Sequence, residues 1–422
     1  MTKEPKRIIP VIACIAIQIC LGTAYIWSVF QTGVATYLFS GNSANALLTF
    51  SLLLAMLTVG GTFGGKIQQK VGTRNIIIIG GVILAIGFFL SSLIKPSFGW
   101  VIWLTYGVIG GVGMGFIYSP SIACCQRWFP DKRGMISGII VSALGFGGVV
   151  FTPIARALIK ALGKGLAGIG ELYTFAILAA IFLVVCTVGG LFIVEPPAGY
   201  QPKGWIPPAP KKGTRSQQFT SSEMLKTPQY YMITITFMLA CMAGLMMIGL
   251  ASQIAVAKGI AAEVAAVGVM IISIANSLGR LFWGWLSDKT GRKNTIFALL
   301  VITAVLILVV NFVSGYWIFV LIGAIGFAYG GYLGTFPAIT ADYFGTKNIG
   351  MNYGVVLLGF GAGAVGSSYI AGYFKDIASS DIGLMFPAFI IASVASVIGA
   401  IIMLVIKYPK EKTPAKAAEK LE

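Results

Sequence analysis

No histidine occurs in the 422-residue sequence, and acids are scarce, with 13 Asp and Glu against 30 Lys and Arg. Without histidine, the commonest metal ligand and the commonest general base near neutral pH are both missing. Six cysteines are present, Cys14, Cys20, Cys124, Cys125, Cys186 and Cys241, and none forms a C-x-x-C pair. They are expected to pack as small apolar side chains. Polar composition is thin as well: 10% of residues are charged and 57% hydrophobic. A soluble core cannot absorb that much apolar surface, so the chain is read as an integral membrane protein resident in a lipid bilayer.

What is present is a series of long apolar runs. A helical crossing needs roughly 20 apolar residues, and twelve runs meet that length. Their limits are about 8–31, 45–65, 75–95, 99–125, 135–155, 170–194, 229–257, 264–286, 294–313, 316–341, 350–373 and 381–406. The first, "KRIIPVIACIAIQICLGTAYIWSVF", is too long for a signal-peptide core and is read as a span. The stretch "EPPAGYQPKGWIPPAPKKGTRSQQFTSSEMLKTPQYY" is rich in Pro and basic residues and too polar to cross. Within it, "SSEMLKTPQ" is expected to form a short surface helix starting near Ser221. The division that follows is a six-helix bundle over 1–194, a linker over 195–228, a second six-helix bundle over 229–407 and a basic tail over 408–422.

The net charge of +17 would suit a nucleic-acid binder, but its distribution does not. With both termini in the cytoplasm, 23 of the 30 basic residues fall in cytoplasmic segments and 6 outside. That is the positive-inside bias of a multi-pass protein of the cytoplasmic membrane, and no nucleic acid is expected as partner. The remaining basic residue is Arg280, inside the apolar run "IISIANSLGRLFWGW". A charge at mid-bilayer costs roughly 2.5–3.5 kcal/mol on insertion scales, so such a residue is expected to face a wet cavity or a partner. No acid sits mid-span, although Asp342 ends one, and Arg280 has no evident protein counter-ion. An exogenous carboxylate would satisfy it through two parallel hydrogen bonds. The same scarcity leaves acid–base and metal chemistry without carriers, which argues against an enzyme and against any cofactor or metal.

The halves echo each other. "GGKIQQKVGTR" follows span 2 and "GWLSDKTGRK" follows span 8, with Gly65 and Gly284 219 residues apart. "RWFPDKRGMISG" follows span 4 and "DYFGTKNIGMNYG" follows span 10, with Phe129 and Phe344 215 apart. A near-constant offset marks a duplicated fold.

Twelve spans, a central loop and G-x-L-x-D-K-x-G-R after span 8 resemble the major facilitator superfamily. The resemblance implies an all-α membrane fold of two pseudo-symmetric six-helix bundles, alternating access and a chain working as a monomer. It places Gly284, Asp288, Gly291 and Arg292 in a gating loop, with Asp288 capping a neighbouring helix, and Asp131 and Arg133 in the related loop after span 4. The first-half copy has Gln69 where the acid belongs. More narrowly, "RWFPDKRG", "NSLGRLFWGWLSDKTGR" and "NYG" are similar to the oxalate/formate antiporters, and "WFPDKRGMISG" in part to the monocarboxylate porters. Asp131 stands where the latter carry a basic residue, their first-span acid is absent from "GTAYIW", and their eighth-span Asp-x-x-x-Arg is here Asn276-x-x-x-Arg280.

These resemblances imply a secondary transporter of organic anions. Arg280 would anchor the carboxylate, and Asn276, one turn earlier on the same face, would read a hydroxyl or carbonyl. Tyr118 and Tyr25 match cavity tyrosines of the oxalate/formate antiporters, and Tyr329 and Tyr332 share a face of span 10. The oxalate carriers hold a second cation, a lysine in the eleventh span, where this chain has Phe360. One arginine neutralises one carboxylate, so the expected substrate is a small monocarboxylate such as lactate or pyruvate, with Phe360 as apolar wall. Proton symport is implied by the monocarboxylate porters, exchange by the oxalate/formate antiporters; a channel or sensor is the other class to separate.

Overall fold

The computed structural model describes residues 7–163, 165–166, 168–197, 199–202, 218–377 and 386–409. The middle of the expected linker (203–217), the first residues of the twelfth expected span (381–385) and the basic tail beyond 409 lie outside the described residues.

Among the described residues every regular element is helical. Lipid offers no hydrogen bonds, and a helix satisfies its backbone within its own segment. Helix α1 (Ile8–Leu21) runs through a tight turn, Gly22–Ile26, into α2 (Trp27–Leu38), so the first expected span continues past residue 31. Helix α3 (Ser43–Ser91) starts on an Asn42 cap and is two helices meeting at Gly72, whose φ of 82° suits glycine alone. A π-helical segment, Trp103–Gly110, leads into α4 (Gly111–Trp128), followed by α5 (Arg133–Leu162) and α6 (Ile169–Leu191). After the linker come α7 (Ser221–Met224), α8 (Pro228–Ala257), α9 (Ala262–Thr290) and α10 (Arg292–Val309). The chain closes with α11 (Trp317–Phe344), α12 (Ile349–Ile377) and α13 (Phe386–Val405). Ten stretches among the described residues are long and apolar enough to cross a membrane.

The repeated loops adopt the same backbone. Gly72 and Gly291, 219 residues apart, both break the helix with positive φ, 82° and 87°. The packing of the copies also matches. A Cβ on Gly284 would lie 2.5 Å from the Gly134 carbonyl of α5, and one on Gly65 would overlap Gly350 of α12. Likewise the Arg280 carbonyl abuts Gly138, and the Gly61 carbonyl abuts Gly354. Glycine at these positions lets α9 approach α5, and α3 approach α12, backbone to backbone.

Both described ends of the linker are pinned. On the first-half side, Trp128 Nε1 donates to the Val194 carbonyl at 2.7 Å, and Tyr200 packs edge-on against Trp128. On the second-half side, Phe219 N donates to the Phe344 carbonyl at 2.9 Å, while Asn348 and Asn352 donate to the Phe219 carbonyl. The surface helix forms, one turn long, and its cap is Thr220 paired with Glu223 in a capping box, one residue before the Ser221 expected from sequence. All six cysteines are buried and free.

Candidate functional site

Arg280 sits on α9 and is 2% exposed. Its backbone is wedged between two glycine-bearing helices: Gly138 of α5 on one side, Gly330 and Gly334 of α11 on the other. The side chain is held at two of its five N–H donors. Nε donates to Asn276 Oδ1 at 2.8 Å, and Nη1 donates to the Val141 carbonyl of α5 at 2.7 Å. Among the described residues no acid lies within ion-pair distance of it. The guanidinium is thus oriented by neutral oxygens, and its remaining donors, on the Nη1–Nη2 edge, are those a carboxylate grips in bidentate fashion. Asn276 and Arg280 lie one helical turn apart and meet as their spacing requires. Asn276 spends its carbonyl on the arginine, which makes it a support for the guanidinium.

A cavity of about 370 Å³, including its mouth, opens beside this group. Six helical segments wall it: Ala24 and Tyr25, Leu54 and Leu57 of α3, Met114 and Tyr118 of α4, Leu144 of α5, Leu333 of α11, Leu357 and Phe360 of α12. The wall is apolar apart from the two phenols. Arg280 stands one side chain behind it, its Cζ 5.7 Å from the ring of Tyr25. Tyr25, Tyr118 and Phe360 are therefore brought together here. Tyr332 is not: its hydroxyl is hydrogen-bonded to Thr303 of α10 at 2.8 Å and the residue is fully buried. Tyr329 is buried against Gly244 of α8 and does not line the cavity.

A charge network closes the face on which the linker lies. Asp288, at the end of α9, accepts from Gly134 N at 3.0 Å and Met135 N at 2.8 Å, the first turn of α5. A carboxylate there meets unsatisfied N–H groups and the positive end of the helix dipole. Arg292 binds Asp288 and also Asp342 at 3.2 Å, and Arg133 reaches Asp342 at 3.1 Å. Gly291 supplies the positive φ that turns Arg292 back toward them. Asp131 instead pairs with Arg7 at 3.6 Å, away from this network. In the first-half copy, Gln68 donates to Thr73, and the acid comes from the linker: Glu195 binds Thr73 and accepts from Arg127 at 2.9 Å. Glu195 and Arg127 are functional candidates that the repeat comparison missed, because the acid lies more than 120 residues from the motif it completes.

The sequence model of the Major Facilitator Superfamily matches residues 12–253 and 232–422. An MFS-type transporter of Escherichia coli strain K12, YhjX, is 32% identical over 368 residues, 86% of this chain and 87% of that protein. The oxalate:formate antiporter of Oxalobacter formigenes is 28% identical over 417 residues, 97% and 93% of the two chains. Apicoplast pyruvate carrier 1 of Toxoplasma gondii is 23% identical, covering 87% and 84%. In structure, the Escherichia coli fucose:proton symporter FucP superposes with a TM-score of 0.72 over 95% of this chain and 99% of that one, at 14% identity. With its all-helical fold, its multi-pass apolar helices and a family match spanning nearly its whole length, the chain is a transporter belonging to the Major Facilitator Superfamily.

Proposed function

We propose that the protein is a secondary transporter of small monocarboxylates of the lactate and pyruvate type, with Arg280 as the carboxylate anchor. The observation that carries this reading is the buried guanidinium with no acid partner among the described residues, beside a cavity walled by Phe360 and leucines. One cation neutralises one carboxylate. A second carboxylate would sit desolvated and unpaired, which costs several kcal/mol even after relaxation. Phe360 offers instead an apolar surface to a methyl or short alkyl group, at about 0.8 kcal/mol per buried methylene-sized unit. The pyruvate carrier among the relatives fits this choice.

In this reading the chain makes twelve crossings in two six-helix bundles, residues 1–194 and 229–407, joined by the linker at 195–228. Both termini lie in the cytoplasm, in a cytoplasmic membrane, and the monomer is the working unit. The halves rock about the cavity, with the Asp288–Arg292–Asp342–Arg133 network as the inner latch. Substrate moves with protons. Adding substrate to proteoliposomes without an exchange anion should raise the outside pH; no change, with uptake only against preloaded anion, contradicts proton symport.

A second reading, exchange of oxalate-type anions, is favoured by the 28% identity to the oxalate:formate antiporter over nearly the whole chain. Competition against labelled pyruvate separates the two. Lactate, propionate and acetate should displace it at neutral pH, and oxalate and succinate should not. Phe360→Lys, which adds a second cation to the cavity wall, should admit oxalate. Oxalate competing as well as lactate in the unmodified protein overturns the charge-matching argument.

A further inference from the structure

Two phenols meet at the cavity with nothing to bond to. Tyr118 lines it from α4, and among the described residues its hydroxyl has no hydrogen-bond partner. Tyr353 of α12 lies behind it, ring centroids 6.4 Å apart, 1% exposed, its hydroxyl buried and unpartnered. Residues 353, 357 and 360 fall on one face of α12, and Leu357 and Phe360 line the cavity. Tyr353 therefore continues the cavity-facing stripe one turn closer to the linker face. Beside it Gly61 packs on the hydroxyl of Ser119, which is also buried without a partner.

The duplicated architecture gives this cluster its meaning. Gly61 lies 219 residues before Arg280, and both press their carbonyls on glycines of the facing helix, Gly354 and Gly138. Where the second half sends a guanidinium inward, the first half leaves space and three hydroxyls without acceptors. A hydroxyl buried in an apolar interior without a partner is a standing cost, and phenylalanine would fill the same space without it. The charge on Arg280 acts on both phenols, so the guanidinium and the hydroxyls serve one cavity.

We propose that Tyr353, together with Tyr118, is the specificity-determining pair that reads the oxygen at carbon 2 of the substrate, while Arg280 holds its carboxylate. A 2-oxo oxygen accepts from a phenol, and a 2-hydroxyl both accepts and donates. The inference rests on the monocarboxylate reading and narrows it to 2-oxo and 2-hydroxy acids over plain alkanoates. A site built to bond an oxygen rejects the analogue that lacks it, because its own polar groups are then left unpaired.

The test is competition against labelled pyruvate in proteoliposomes holding the full-length protein, with lactate and propionate as competitors. In the unmodified protein lactate should compete at least tenfold better than propionate. Tyr353→Phe should erase most of that preference, weakening lactate and pyruvate about tenfold and leaving propionate unchanged. Tyr118→Phe should move in the same direction, which covers the case in which one variant fails to fold. If both variants keep the lactate-over-propionate preference, or weaken all three acids alike, the phenol pair is not the reader and this inference falls, with the Arg280 anchor untouched. If the unmodified protein takes up no pyruvate and no monocarboxylate binds it, the underlying monocarboxylate reading falls instead.

Discussion

Arg280→Ala is expected to abolish uptake of the substrate anion in protein that still reaches the membrane in normal amount. The substitution removes the one cation found at the cavity among the described residues, and with it the only group able to offset the charge of a carboxylate leaving water. Each hydrogen bond to a charged partner is worth about 1.5–3 kcal/mol, so losing a bidentate pair lowers affinity by at least two orders of magnitude. Arg280 also ties α9 to the Val141 carbonyl of α5, and this structural share is separated by Arg280→Lys. Lysine keeps the charge and can reach a carbonyl, but it has no planar fork to grip a carboxylate while bonding Asn276. Uptake by Arg280→Lys should fall at least tenfold while thermal stability changes little. Normal uptake by Arg280→Ala at normal expression would falsify the anchor.

Asp288→Asn should lower transport tenfold or more by a different route. The carboxylate of Asp288 accepts from two backbone N–H groups at the start of α5 and from Arg292. An amide oxygen accepts more weakly, and its NH2 group faces donors where the second oxygen accepted. Loss of charge-assisted bonding worth about 1.5–3 kcal/mol shifts a two-state equilibrium by roughly 10- to 100-fold, toward the state open on the linker face. The carrier then waits on one side of its cycle. Spin labels at the exposed positions Lys132 and Lys347 report the change. The variant should populate a longer distance than the unmodified protein; identical distance distributions with undiminished uptake contradict the latch.

The helices were legible from run length, because a crossing leaves an unbroken apolar stretch that no soluble element needs. Position 72 shows what the repeat added: the offset from Gly291 to Gly72 marks the same backbone break in both halves. Arg280 stood out for the same reason, as a charge where lipid tolerates none. Contacts between distant helices leave no such trace. Nothing in the spacing of Asn276 and Arg280 tells that the amide carbonyl is spent on the arginine, or that Val141, 139 residues away, takes the other N–H. Tyr332 reads as well as Tyr118 in sequence, yet its hydroxyl goes to Thr303, a partner two helices of packing decide. Glu195 looked like the edge of a linker and proves to complete the first-half polar network. Tyr353 was hidden because "NYG" carried the eye as a loop motif, whereas its ring turns toward the cavity.

The most direct test of the account is a structure of the protein with pyruvate or lactate bound. The account predicts the carboxylate on the Nη1–Nη2 edge of Arg280, with Asn276 still holding Nε and the rest of the ligand between Tyr118 and Phe360. A ligand bound elsewhere, with Arg280 tied only to Asn276 and Val141, would contradict it.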